Sequence, residues 1–157
     1  MTLSLAARTP STLRAGLAAL AVAAWPALVS AQTPSPDVQI AQAVQAAPAA
    51  HRAGATVLGF AADGSMTTLR EGSNELICLA DDPAGDGWSV ACYHESLEPF
   101  MARGRELREE GVTDSGELAR RRWAEADAGT LPMPEQPAAL YVMTAEGWDA
   151  AAGPATN

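Results

Sequence analysis

The chain has 157 residues, a length that predicts a single domain. Its ten basic residues are all arginine, and 19 acidic residues bring the formal net charge to -9. This acidic balance excludes a cationic nucleic-acid-binding protein, because phosphate recognition needs a basic surface. Aromatic residues make up only 5% of the chain, so large side chains for a core are few.

Residues 1–31 have the pattern of a secretory signal peptide. Arg8 and Arg14 form its positive start, and residues 15–29 are an uncharged apolar run. Residues 29–31, Val-Ser-Ala, are a typical cleavage pattern. A run of about 15 apolar residues is too short to cross a membrane, which takes about 20. We therefore expect a periplasmic or secreted protein without stable membrane insertion; the alternative is an uncleaved N-terminal anchor.

Cleavage after residue 31 would remove two arginines and no acidic residue, so the net charge would fall from -9 to -11. The next segment, residues 32–52, is rich in Ala, Gln and Pro and predicts a tether. A short helix over residues 38–47 is expected within it, ended by Pro48. The apolar side of this helix is expected to carry Val38, Ile40, Ala41 and Val44.

Residues 53–144 carry the signals of a folded α+β domain. Four short strands are predicted, over residues 55–60, 66–70, 75–80 and 88–93. Because short strands in sequence order usually pair with their neighbours, they favour an antiparallel meander. Residues 139–144 have the composition of a fifth strand, and residues 145–157 are predicted to be a flexible tail.

Between the fourth and fifth strands the apolar spacing changes to that of a helix. One helix face is formed by Leu97, Phe100, Met101, Gly104 and Leu107. Ser96 is its expected N-cap. A second helix is predicted over residues 115–128, started by Asp114 with Glu117 as a capping box. The expected fold is therefore a small antiparallel sheet of four to five strands with one or two packed helices.

Cys78 and Cys92 are the only cysteines of the chain. Gly85 is midway between them, near the centre of the loop over residues 81–87, so the two cysteines should face each other across a hairpin. The same register places Leu76 opposite His94. Directly opposed residues have Cα atoms about 5.5 Å apart, which suits a disulfide.

Export would also place the two cysteines where disulfides persist, so the sequence predicts a Cys78–Cys92 bond. Two alternatives stay open. One is a metal site that joins both thiols to His94, with His51 as the only other imidazole in the chain. The other is a pair of free thiols.

The loop between the cysteines contains three aspartates, Asp81, Asp82 and Asp86. Clustered carboxylates are typical calcium ligands, so these residues are a candidate metal site. The spacing does not match an EF-hand loop, which favours the alternative of an acidic turn in an acidic protein.

Other residues suggest ligand contacts without forming a catalytic set. His94 stands beside Glu95, but adjacent strand residues point to opposite faces, so the two do not form an acid–base pair. His94, Trp88 and Arg70 are candidate ligand contacts; Arg70 would act with arginines of the 120–122 cluster as an anion clamp. No catalytic residue and no cofactor are predicted.

Three segments resemble an uncharacterised family of secreted bacterial proteins: Leu69–Asn74, Cys78–Pro83 and Cys92–Met101. The resemblance covers about residues 50–144. It implies export, and it carries over no activity and no catalytic residue. Similar chains run on past the last predicted strand, so the resemblance also implies that the domain continues beyond Asn157.

Together these features predict a small exported binding or structural module with an unknown partner. The alternative is a calcium- or zinc-dependent protein, or a small enzyme, that uses the acidic loop and His94. A third hypothesis is an incomplete domain that has no independent function.

Overall fold

The computed structural model of the protein describes residues 33–149 and 153–155. The predicted signal peptide, residues 1–31, lies outside the described residues. Within the described part of the chain, no helix is long and apolar enough to cross a membrane.

The helices are α1 (Pro36–Ala43), α2 (Glu98–Glu109) and α3 (Ser115–Asp127), and 3-10 turns cover Val44–Ala46, Ala49–Gly54 and Glu95–Leu97. The strands are β1 (Thr56–Phe60), β2 (Met66–Arg70), β3 (Leu76–Leu79), β4 (Trp88–His94), β5 (Leu140–Ala145), β6 (Gly147–Asp149) and β7 (Gly153–Ala155). Strands β6 and β7 pair with each other, in a segment predicted to be a flexible tail.

The first five strands form one mixed sheet in the order β2-β1-β3-β4-β5, which confirms the α+β class. The predicted meander is wrong at one point. Strand β3 does not pair with β2; it pairs with β1 on the other side and runs parallel to it. The remaining neighbours in this sheet are antiparallel, as predicted.

The short link between β2 and β3 crosses over the start of β1, and this crossing explains the parallel pair. At Gly72 a Cβ atom would lie 2.3 Å from the backbone nitrogen of Thr56, so only glycine fits. The next two residues donate backbone hydrogen bonds to the carbonyl oxygen of Gly54, from Ser73 at 2.7 Å and from Asn74 at 3.0 Å. The crossing is therefore held by backbone contacts that hydrophobic spacing does not reveal.

The register between β3 and β4 is the predicted one. Cys78 pairs with Cys92 and Leu76 pairs with His94. The predicted disulfide is confirmed, with the two Cα atoms 4.0 Å apart. This separation is shorter than the expected 5.5 Å and closer to that of the narrow type of antiparallel pair.

We name the sheet face that carries this bond the disulfide face. Val57 pairs with Cys78, so its side chain lies on the same face. Val57, Cys78 and Cys92 form one row across the sheet, and all three are fully buried. Helix α1 and the turn after it cover them with Ala43, Val44 and Ala47, which belong to the same apolar cluster. The segment predicted to be a tether is thus part of the core, because its small alanines allow close packing on the sheet.

The predicted apolar side of α1 is wrong in part. Val44 belongs to the apolar cluster and Ile40 packs against it, whereas Val38 is 40% exposed and Gln39 is 2% exposed. The Gln39 amide pairs with the backbone of β1 at Phe60. Its Nε2 donates to the Phe60 carbonyl at 2.9 Å, and its Oε1 accepts from the Phe60 N–H at 2.8 Å. Nε2 also donates to the Pro34 carbonyl at 2.8 Å. These bonds replace the water that the amide loses on burial.

We name the opposite side of the sheet the tyrosine face, after Tyr93, which is fully buried. Its hydroxyl lies 2.5 Å from Glu98 Oε2 and accepts a 3.2 Å hydrogen bond from Arg105, and both partners belong to α2. Burial, followed by the hydrogen bond to Glu98, raises the pKa of Tyr93. The neutral hydroxyl therefore ties α2 to the sheet.

Helices α2 and α3 confirm the two predicted helices. At the start of α3, the Asp114 carboxylate accepts from the Glu117 N–H at 2.8 Å, as the capping box predicts. The two helices are joined by the Arg103–Glu125 ion pair, with Nε and Oε2 2.8 Å apart.

Candidate functional site

An open cleft of about 410 Å³ lies on the disulfide face. Its lining includes His51, Glu75, Leu76, His94, Ala139 and Tyr141. Leu76, Ala139 and Tyr141 supply its apolar part, while the two imidazoles and Glu75 supply polar groups. We refer to this site as the His94 cleft.

The disulfide hairpin positions the floor of the His94 cleft. Leu76 and His94 are opposed residues, two positions from the cysteine pair, so their side chains lie on the disulfide face. Tyr141 of β5 pairs with Cys92 and shares that face. The bonded strand pair thus fixes which side chains meet in the cleft.

His94 is held in one orientation by its neighbours. The Ser96 N–H donates to His94 Nδ1 at 3.2 Å, and Ser96 Oγ lies 2.9 Å from the same atom. Because Nδ1 accepts a backbone N–H, the neutral ring carries its proton on Nε2. That atom lies 3.4 Å from Glu75 Oε2. The predicted N-cap at Ser96 is therefore wrong: His94 caps the 3-10 turn that precedes α2.

Asn74 also lines the cleft but has a structural task. Its Nδ2 donates to the His51 carbonyl at 2.8 Å, and its Oδ1 accepts from the Leu76 N–H at 3.0 Å. Glu75 is different, since its side chain is 74% exposed and has only His94 as an ion-pair partner among the described residues. The Glu75 carboxylate can therefore accept a hydrogen bond or form an ion pair with a ligand.

Arg70, a predicted ligand contact, lies outside the cleft lining. Its Nη2 donates to the carbonyl of Arg52 at 2.7 Å and to that of Ala55 at 2.9 Å. These backbone acceptors lie at the start of β1, beside the crossing link. The guanidinium therefore stabilises the crossing.

Trp88, another predicted contact, is 3% exposed, and its ring stacks on Trp148 with centroids 5.2 Å apart. Its indole Nε1 has no hydrogen-bond partner among the described residues. Trp88 and His94 stand at opposite ends of β4. Of the three predicted ligand contacts, only His94 lies in the cleft.

The acidic loop is not assembled into a metal site. The Asp81 carboxylate accepts from the Ser89 N–H at 2.8 Å, and that of Asp82 accepts from the Ala84 N–H at 2.9 Å. Burial raises the pKa of Asp81, with a smaller contribution from the charge of Asp82. Within residues 33–149 and 153–155, which include Asp86, no group of three or more His, Cys, Asp or Glu side chains could hold a metal ion. The alternative metal site on the cysteines is also overturned, since both thiols are in the disulfide.

The sequence does not point to Glu75, Leu76 or Tyr141 as site residues, and it suggests His51 only for the alternative metal site. The predicted register already places Leu76 opposite His94, and Glu75 precedes Leu76 in the chain. The positions of Leu76 and Glu75 near His94 could therefore have been predicted. His51 reaches the cleft through the crossing link, and Tyr141 reaches it through the β4–β5 register. Neither the crossing nor this register can be predicted from residue spacing.

Comparisons with protein-family models, curated proteins and solved structures find no match to this chain.

Proposed function

We propose that this protein is a small exported binding module, periplasmic or secreted, whose ligand site is the His94 cleft. The observation that carries the proposal is the cross-strand pair of Leu76 and His94, fixed beside the disulfide at the base of the cleft. A disulfide is typical of exported domains, and the resemblance to secreted bacterial proteins agrees with export.

The chemistry of the cleft favours an organic cation with an apolar part. Leu76, Ala139 and the Tyr141 ring would contact the apolar part, and Glu75 would face the charged group. The net charge of -9 attracts cations and repels anions at long range. An amine that carries an aromatic ring combines both requirements.

Calorimetric titration of the full chain with phenethylammonium tests this proposal, with the uncharged 2-phenylethanol as the ligand control. We expect saturable binding of the amine only. Glu75→Gln should weaken it about fivefold, because an exposed charge contributes up to about 1 kcal/mol. The matched control is Glu71→Gln, which removes the same charge from the same link outside the cleft lining.

His94→Asn gives a second arm, since asparagine keeps an N-cap acceptor but removes the imidazole. We expect weaker binding with an unchanged melting temperature. Equal binding of the amine and the alcohol, or equal effects of the Glu75 and Glu71 substitutions, would refute the cation site.

One observation favours a second candidate, a small hydrolase. The order of groups resembles a nucleophile–base–carboxylate relay. Ser96 Oγ lies 2.9 Å from His94 Nδ1, and His94 Nε2 lies 3.4 Å from Glu75 Oε2. The cap formed by His94 explains the first contact without catalysis. A fluorophosphonate probe distinguishes the two: labelling of the full chain that is lost in Ser96→Ala supports a hydrolase, and no labelling eliminates it.

A further inference from the structure

A second site emerges from the arginines of α2 and α3, away from the His94 cleft. These helices carry six of the ten arginines. Four of them form ion pairs with glutamates, namely Arg103, Arg105, Arg120 and Arg121. Among the described residues, Arg108 and Arg122 have no carboxylate within ion-pair distance. Two uncompensated cations are unexpected in a chain that holds 19 acidic residues.

The two guanidinium groups converge at Gly104 of α2. A Cβ atom at Gly104 would lie 2.9 Å from Arg122 Nη1, so the Arg122 side chain lies directly against this glycine. Arg108 Nη1 donates to the Gly104 carbonyl at 3.4 Å. Burial and then the charge of Arg108 lower the pKa of Arg122, which agrees with two cations held close together. An anion between them would relieve this repulsion.

The hydrogen-bonding capacity of Arg122 is poorly used. Its contacts are long, with Nε 3.4 Å from the Leu118 carbonyl oxygen and Nη1 3.5 Å from the Phe100 carbonyl oxygen. Its Cζ lies 4.4 Å from the centre of the Phe100 ring, which fixes the plane of the guanidinium. Arg122 is thus held in place with donors left for a ligand.

Two aromatic rings lie on the Arg122 side of this pair. The rings of Phe100 and Trp123 are 5.1 Å apart, and Trp123 is 52% exposed. A large, half-exposed aromatic side chain close to the Phe100–Arg122 contact offers a stacking surface to a planar anion.

We propose that Arg108, Arg122, Phe100 and Trp123 form a binding site for a small carboxylate that carries an aromatic ring. The carboxylate accepts hydrogen bonds from the two guanidiniums, a geometry that arginine suits because its donors form a planar fork. The aromatic ring lies against Trp123. The site does not depend on the proposed function of the His94 cleft, and it selects the opposite charge.

Titration of the 15N-labelled full chain with benzoate tests the proposal, with uncharged benzyl alcohol as the ligand control. The readout is the indole N–H resonance of Trp123, assigned through Trp123→Phe. We expect a saturable shift with benzoate only. Arg108→Gln should weaken benzoate binding about tenfold, as expected for the loss of a charge-assisted hydrogen bond. Arg108 is exposed, so its replacement spares the packing of the helices.

The matched control is Arg120→Gln, which removes the same charge from an exposed arginine of α3. It should change the affinity less than twofold. Equal shifts with benzyl alcohol would show an apolar surface without an anion site, and would overturn the proposal. Equal effects of the Arg108 and Arg120 substitutions, or no saturable shift, would overturn it as well.

Discussion

The two faces of the sheet are covered by different chemistry. On the disulfide face, Ala43, Val44 and Ala47 pack on a covalently linked strand pair. On the tyrosine face, the buried Tyr93 hydroxyl binds α2, and the Arg103–Glu125 ion pair joins α2 to α3 beside their buried leucines, Leu107 and Leu118. Apolar packing and a disulfide are insensitive to protonation, whereas paired carboxylates are not. We therefore expect the stability of the tyrosine face to respond more strongly to acid than that of the disulfide face.

Removing the disulfide is the strongest test of this difference. The double variant Cys78→Ala/Cys92→Ala should lower the free energy of unfolding by about 3 kcal/mol, since the closed loop spans about 15 residues. Urea unfolding of the oxidised wild type and the variant measures it. A loss well below 1 kcal/mol would show that the alanine packing alone holds this face.

The buried amide of Gln39 provides the next largest effect. Gln39→Leu leaves the Phe60 N–H and two carbonyl oxygens without their partners, so we expect a loss of about 2 kcal/mol in unfolding free energy. Val38→Ala on the same helix is the control and should cost much less, because Val38 is 40% exposed. If both variants unfold at the same urea concentration, α1 does not anchor to β1 through this amide.

The ion pairs of the tyrosine face give the smallest effect. The hydrogen bonds from Arg103 lower the pKa of Glu125, so its contribution is present above the ordinary value of 4.5 and is lost as the pH falls below it. Glu125→Gln should reduce the melting temperature slightly at neutral pH and converge with the wild type in acid.

Glu109→Gln is the matched control for this pH dependence. Glu109 is an exposed glutamate of α2 without an ion pair among the described residues. Its replacement should leave the difference from the wild type constant with pH. A constant difference for Glu125→Gln as well would contradict a role for the ion pair.

The sequence predicts the strands, both long helices and the cysteine register, because each depends on local spacing. It does not predict the parallel β1–β3 pair, since a short link normally joins neighbouring strands. The close approach at Gly72 and the backbone hydrogen bonds to Gly54 that hold the crossing leave no spacing pattern in the sequence. The burial of Gln39 is equally hidden, because it depends on the backbone of Phe60, which is distant in sequence.

The same distinction applies to the site. The local register placed Leu76 and His94 together, whereas Trp88 and Arg70 have structural tasks that only the folded chain reveals. His51 and Tyr141 reach the cleft through long-range contacts, for which the sequence offers no spacing rule.

We propose that the disulfide hairpin builds a cation-binding cleft around His94, and chemical-shift mapping of the 15N-labelled full chain with phenethylammonium tests this proposal. We expect saturable shifts concentrated at the backbone N–H groups of Leu76, His94 and Tyr141. Shifts that are absent there, or that are centred on another part of the chain, would contradict it.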